Sequence, residues 1–238
     1  MPDDALPFLP EDWSTALAVA AHPDDLEYGA AAAVARWTDQ GKRVAYLLLT
    51  SGEAGIDTIA PEESGPLREG EQRRACAVVG VDDVTFGGLQ DGVLQPDVPM
   101  RAVIARAVRR VRPDVVVATA TNDWGGQPDQ ADHRAVAGVL LDAVRDAGNR
   151  WVHRHLLDEG LEPHDVRELV WVMDAEPTHA VDTSATTDRG MESLRAHETY
   201  WDVLGGTPEE MLRQGAGETG ARQGVQTAVL VRRLVLKE

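Results

Sequence analysis

The 238-residue chain carries 40 Asp and Glu against 23 Lys and Arg, a formal net charge of -17. Such a surface repels a phosphate backbone, which excludes nucleic acid as an expected partner. No window approaches the roughly 20 apolar residues of a membrane span, and the acidic, proline-bearing start MPDDALPFLPEDW lacks the basic region and apolar core of a secretory signal. A cytoplasmic protein with no membrane contact is the expectation, folded as one domain over residues 1–238; a homo-oligomer is compatible with the same features.

In chain order, TALAVAAH (15–22) reads as a buried strand, followed by a helical GAAAAVARWTDQG. RVAYLLLT (43–50) is a second strand; PLREGEQRRACAVVG, a helix, follows it and holds the sole cysteine, Cys76, at a buried small-apolar position. One cysteine excludes a disulfide framework or a thiolate zinc cluster within one chain. VTF (84–86) adds a short strand, RAVIARAVRRV a helix, DVVVATAT (114–121) a strand and DHRAVAGVLLDAVRDAG a helix closed by Gly148. LVWVM (169–173), HAVDTS (179–184) and QTAVLVRRLVL (226–236) read as strands. A single helix is expected through MESLRAHETYWDVL, and a mobile loop over the glycine-rich TPEEMLRQGAGETGARQG. Near-continuous apolar strands alternating with helices define an α/β chain, a Rossmann-like three-layer fold with a mostly parallel central sheet.

In such sheets ligands bind beyond the carboxyl ends of the strands. There the sequence places His22-Pro23-Asp24-Asp25, then Thr50-Ser51-Gly52-Glu53, then Asn122-Asp123-Trp124 running on to Gln130-Ala131-Asp132-His133. His22, Asp25 and His133 make a two-nitrogen, one-oxygen set suited to catalytic zinc with a position open for water. Two adjacent acids raise each other's pKa, but a cation reverses that logic: one becomes a ligand while the other stays ionised and accepts a proton. Taken singly, HPDD also reads as a helix N-cap with favourable acids, and Asp132-His133 as a cap followed by a helical histidine. Their joint occurrence at two strand ends is what favours a metal site.

These motifs resemble those of the PIG-L or LmbE-like family of zinc-dependent N-deacetylases. Ala21-His22-Pro23-Asp24-Asp25 with Glu27, Thr50-Ser51-Gly52-Glu53-Ala54-Gly55, the Arg68-Glu69-Gly70-Glu71 helix, Asp91-Gly92 and Asp132-His133-Arg134-Ala135 occur in the family's order over about residues 15–148. The resemblance implies zinc, or another divalent metal, on His22, Asp25 and His133, with Asp24 as general base. It implies substrate contacts from Arg68 and Asp91, and a second-layer or turn role for Glu53. One position departs from the pattern. Where the family carries a second histidine three residues before the metal histidine, this chain has Gln130, whose amide can polarise a carbonyl but cannot act as a general acid. Either Asp24 itself then returns the proton to the leaving amine, or another residue enters the site, for which His197, in RAHETY, is the candidate, weighed against an exposed helical histidine.

The expected activity is removal of an N-acyl group, most simply acetyl, from an aminosugar or glycosylated small molecule. The alternatives are an amidase on thiol-sugar conjugates and a weakly active, metal- or ligand-binding descendant. A magnesium phosphotransfer enzyme would leave His22 and His133 idle, and no G-x-G-x-x-G follows the first strand to mark a dinucleotide site. His153 and His155 read as exposed, His164 as a loop residue and His179 as structural; Trp124 reads equally as a sugar-stacking or a packing residue.

Overall fold

The computed structural model describes residues 5–121, 129–206 and 208–237. Asn122, Asp123 and Trp124 lie outside the described residues.

The chain runs β1 (Thr15–Ala20), α1 (Asp25–Gly29), α2 (Ala31–Asp39), β2 (Arg43–Leu48), α3 (Pro61–Val78), β3 (Asp83–Phe86), α4 (Val98–Val111), β4 (Val115–Thr119), α5 (Ala131–Gly148) and α6 (His155–Asp158). It ends with β5 (Glu168–Val172), β6 (His179–Asp182), α7 (Thr187–Arg195), α8 (Glu198–Leu204), α9 (Glu209–Gln223) and β7 (Ala228–Val235). The seven strands form one sheet in the order β3-β2-β1-β4-β5-β7-β6. From β3 to β5 every pairing is parallel, and β7 runs antiparallel to both β5 and β6.

Alternation along the central strands distributes side chains between two cores. Leu17 and Val19 of β1 and Val116 of β4 join Ile104 and Val108 of α4 and Val139 and Leu140 of α5 on one face. Ala16 and Ala18 of β1 and Val117 of β4 join Leu26, Val34 and Trp37 on the other, where α2 and α3 also pack against α7. Covering both faces is what permits strands without polar alternation, and it makes three layers. The α2–α7 contact is tight: a Cβ at Gly190 would lie 2.9 Å from Ala32 N and 3.0 Å from its Cβ. Gly190→Val is expected to lower the unfolding free energy by about 1–3 kcal/mol through overpacking, read as a reduced urea midpoint at unchanged m-value.

Three sequence expectations are corrected. Residues 207–224 were expected to be a loop, but Glu209–Gln223 form α9, with Glu209 and Glu210 in its first turn and a left-handed Gly224 closing it. Each internal glycine costs about 1 kcal/mol against alanine, a deficit that packing on β7 offsets; at Gly220 a Cβ would meet the Gln226 carbonyl at 2.6 Å. Helix α3 starts at Pro61 rather than Pro66, because Pro61 takes the first helical position, where its missing N–H is no loss. The expected helix through 191–204 breaks at Ala196 and His197 into α7 and α8.

Candidate active site

The strand order reverses direction between β1 and β4, the point at which a parallel sheet opens a crevice at its carboxyl edge. The residues leaving β1 fill that crevice. Asp24 has φ 80°, in the left-handed region, which Asp tolerates better than most residues but which still costs of order 1 kcal/mol. Three contacts hold it there. Its N–H donates to Gln72 Oε1 at 2.9 Å, Arg68 Nη2 donates to its Oδ1 at 3.2 Å, and Arg68 Nη2 also donates to Pro23 O at 2.9 Å. The turn in effect aims two adjacent carboxylates differently. Asp25 folds back to accept the His22 N–H at 2.8 Å, while Asp24 faces Arg68.

His22, Asp25 and His133 converge: each offers a ligand atom, and these atoms all lie within 4.8 Å of one another. Carboxylates outside the trio hold the far nitrogen of each ring. His22 Nε2 faces Asp91 Oδ1 at 3.0 Å and Asp132 Oδ2 at 3.3 Å, leaving Nδ1 toward Asp25 at 3.6 Å. His133 Nδ1 faces Asp129 Oδ1 at 2.8 Å, leaving Nε2 toward Asp25 Oδ1 at 3.1 Å. Carboxylates that hold the far nitrogen of an imidazole are the usual outer layer of a metal centre. A second trio, His22, Asp91 and Asp132, is also close enough to hold a cation. However, both oxygens of Asp132 already accept backbone N–H groups, Oδ2 that of Gly92 at 2.8 Å and Oδ1 that of Leu94 at 3.1 Å, whereas Asp25 accepts one on Oδ2 alone and lines the cavity together with His133. The first trio therefore fits a divalent ion better.

The electrostatics agree with that fit. Burial opposes protonation of His22, yet its bonds to Asp25 and Asp91 push the ring up to about 11. Burial likewise opposes protonation of His133, which Asp25 raises to about 9. Burial alone would raise Asp25, but His133 and His22 hold it well below the usual carboxylate range. The centre thus demands positive charge, and a divalent ion competes with protons for the same nitrogens. Asp24 is buried and sits beside Asp25, so its pKa lies well above the usual value despite the opposing Arg68.

A cavity of about 290 Å³ opens onto this centre, lined by Asp24, Asp25, His133, Gln130, Tyr28 and Tyr200 among others. Gln130 occupies the N-cap position of α5, but its side chain makes no capping bond; it lies exposed on the rim. Arg68 and Asp91, expected to meet substrate, turn their polar atoms toward the protein. Arg68 is buried, donates to Gly52 O at 2.9 Å as well as to Pro23 and Asp24, and lies 4.2 Å from the Tyr200 ring centre. Its seat explains the glycines of Thr50-Ser51-Gly52-Glu53-Ala54-Gly55: a Cβ on either Gly52 or Gly55 would collide with the guanidinium. Glu53 accepts the N–H of Asp91 at 2.8 Å and of Ser51 at 3.2 Å, tying two site loops together.

His197 is a further correction to an exposed helical histidine. Its ring is fully buried, neither nitrogen has a hydrogen-bond partner among the described residues, and burial drives its pKa to about 3, reinforced by Arg68. It faces Glu27 at 3.8 Å and does not line the cavity. Gln72, Asp132, Tyr28 and Tyr200 were not anticipated as site residues. Asp132 alone had a visible signal, its place directly before His133. His153 is also less exposed than expected and faces Asp146 at 3.0 Å.

A mostly parallel sheet with an imidazole–carboxylate centre at its switch point defines the class: an α/β protein with a candidate metal site at the carboxyl edge of its sheet. Within that class the chain belongs to the PIG-L family, described as GlcNAc-PI de-N-acetylase, whose profile matches residues 17–144. Diacetylchitobiose deacetylase of Thermococcus kodakarensis is 28% identical over 80% of this chain and 71% of its own. The 1D-myo-inositol 2-acetamido-2-deoxy-alpha-D-glucopyranoside deacetylase of Acidothermus cellulolyticus is 30% identical over 91% of this chain and 88% of its own. In fold, the chain is similar to N,N'-diacetylchitobiose deacetylase from Pyrococcus horikoshii, with a TM-score of 0.85 at 22% identity over 94% of this chain and 85% of that one.

Proposed function

We propose that the protein hydrolyses the N-acetyl group of an aminosugar or aminosugar glycoside, with a zinc ion held by His22, Asp25 and His133. One observation carries the reading: the Asp24 carboxylate lines the cavity directly beside that trio, with Gln130 on the rim. The acetylated-aminosugar deacetylases among its relatives support the substrate class. A divalent ion bound there would lower the pKa of a coordinated water toward 7 and polarise a carbonyl.

The chain's own residues do the rest. Asp24 takes the proton of the attacking water and returns it to the nitrogen of the leaving amine, since His197 is fully buried and does not line the cavity. Arg68 positions Asp24 by binding Oδ1. Gln130 donates an amide N–H to the oxygen on which charge develops. Asp91 and Asp132 orient His22, and Asp129 orients His133. Among the described residues no helix is long and apolar enough to cross a membrane, and the proposed setting is the cytoplasm.

Acetate release from methyl N-acetylglucosaminide, measured on zinc-loaded protein, tests the reading; no release from any N-acetylated aminosugar would sink it. Replacing Gln130 separates an active enzyme from a weak descendant. Gln130→Ala is expected to lose about 10²–10³ in kcat, the usual cost of one oxyanion donor, while Gln130→His stays within about tenfold of the native rate. A native rate near zero that climbs steeply in Gln130→His would mean a binding protein that has lost proton delivery.

A further inference from the structure

The cleft does not end at the reaction centre. A second cavity, of about 370 Å³, shares Tyr28, Met173 and Met211 with the first and continues between α7, α9 and β7. Met191, Leu212, Ala216, Val229 and Leu230 give it an apolar wall. Its only carboxylates are Glu27 and Asp174, and no Lys or Arg lines it among the described residues. Glu27 Oε1 accepts from Gln72 at 2.9 Å, and its Oε2 is buried. A phosphate or carboxylate would find no counter-charge here, whereas an apolar group gains by leaving water.

The boundary between the two cavities has a specific construction. Met173 stands at φ 59° just beyond β5, and a Cβ on Gly29 would lie 2.5 Å from its Cγ and 2.8 Å from its Sδ. The missing side chain of Gly29 is what admits Met173 to this position. A flexible thioether can repack around a bound chain at little cost.

We propose that the second cavity binds an apolar aglycone carried by the amine half of the substrate. The inference rests on the deacetylation reading. An acetyl group is only two carbons long, so any part of the substrate that passes Tyr28 and Met173 belongs to the amine half. The three lining residues shared with the first cavity set the second directly beside the reaction centre, within reach of the amine half of a bound substrate.

The test compares octyl with methyl N-acetylglucosaminide. Native protein is expected to show a kcat/KM at least about tenfold higher for the octyl glycoside, from a lower KM, given the discrimination a single methylene already supplies in an apolar pocket. Ala216→Leu, which fills the cavity at a position where leucine suits a helix nearly as well as alanine, is expected to bring that ratio to about 1. Equal values in the native protein, a ratio unmoved by Ala216→Leu, or a preference for N-octanoyl over N-acetyl on the methyl glycoside would each overturn the proposal. If neither glycoside is deacetylated, the functional reading fails, and octyl glucoside, which has no amide, still tests the cavity by titration calorimetry. Binding to native protein but not to Ala216→Leu supports an apolar site; no binding to either overturns it.

Discussion

Asp25→Ala and His133→Ala are each expected to reduce tightly held divalent metal from near one ion per chain to a small fraction, with acetate release falling at least about 10²-fold. Loss of an outer-layer partner alone typically costs 10–100-fold in metal affinity or activity, and a direct ligand costs no less. The two variants act on different parts of the centre. Asp25 joins both histidines, lying 3.6 Å from His22 Nδ1 and 3.1 Å from His133 Nε2, so its loss also leaves two imidazoles facing each other across 5.2 Å. Removing one member of a buried charge pair destabilises by about 3–5 kcal/mol, so Asp25→Ala can also lower the melting temperature. His133 is less buried and sits at the first turn of α5; His133→Ala is the cleaner variant. Metal content after dialysis, measured by elemental analysis alongside far-UV circular dichroism, checks both. Stoichiometric zinc retained by His133→Ala would refute the ligand set. A preference for magnesium insensitive to either histidine would point to chemistry on the paired acids instead.

The outer layer should grade the same effect. Asp91 and Asp132 reach His22 only through Nε2, and Asp132 also holds the backbone of Gly92 and Leu94. Their removal therefore perturbs the orientation of a ligand, whereas removal of Asp25 deletes one.

Much of this architecture is written locally. The strands at 15–20, 43–48, 115–119 and 168–172 show as apolar runs because both faces of the sheet are covered, and the alternation with helices follows from that. Site residues that leave consecutive strand ends were legible for the same reason: topology delivers them to one edge. Less legible was whatever depends on packing between distant segments. The glycines of α9 read as a loop, since the contacts that offset their helical cost come from β7 and the turn at Gln226. His197 looks like a surface residue on a continuous helix until α7 and α8 break apart around it and bury its ring. Gln72 has no motif at all; it matters because α3 brings its amide against the Asp24 N–H, 48 residues away. Arg68 reads naturally as a charge awaiting a substrate, and its three backbone and carboxylate partners become visible only when Pro23, Gly52 and Asp24 are in place.

Asp24→Asn is expected to lower kcat by about 10²–10⁴-fold, the range for losing a general base or acid, while metal content and KM change little. Asparagine keeps the shape, tolerates the left-handed backbone and still offers an oxygen to Arg68, so the variant removes proton transfer and leaves positioning intact. Asp24→Ala differs in kind: it keeps φ 80° without a side chain suited to it, at a cost of roughly 1–3 kcal/mol in stability, and it removes the oxygen to which Arg68 Nη2 donates, an acceptor that asparagine retains. Comparing the two separates chemistry from architecture, because only the alanine variant should lower the unfolding midpoint. A full rate in Asp24→Asn would remove Asp24 from the reaction and leave it as the hinge of the turn. Loss of metal from Asp24→Asn would instead make it a ligand, and the division of labour between the adjacent acids would have to be reversed. The geometry favours the first assignment: Asp25 is turned toward both imidazoles, while Asp24 is held off them by Arg68 and faces the cavity.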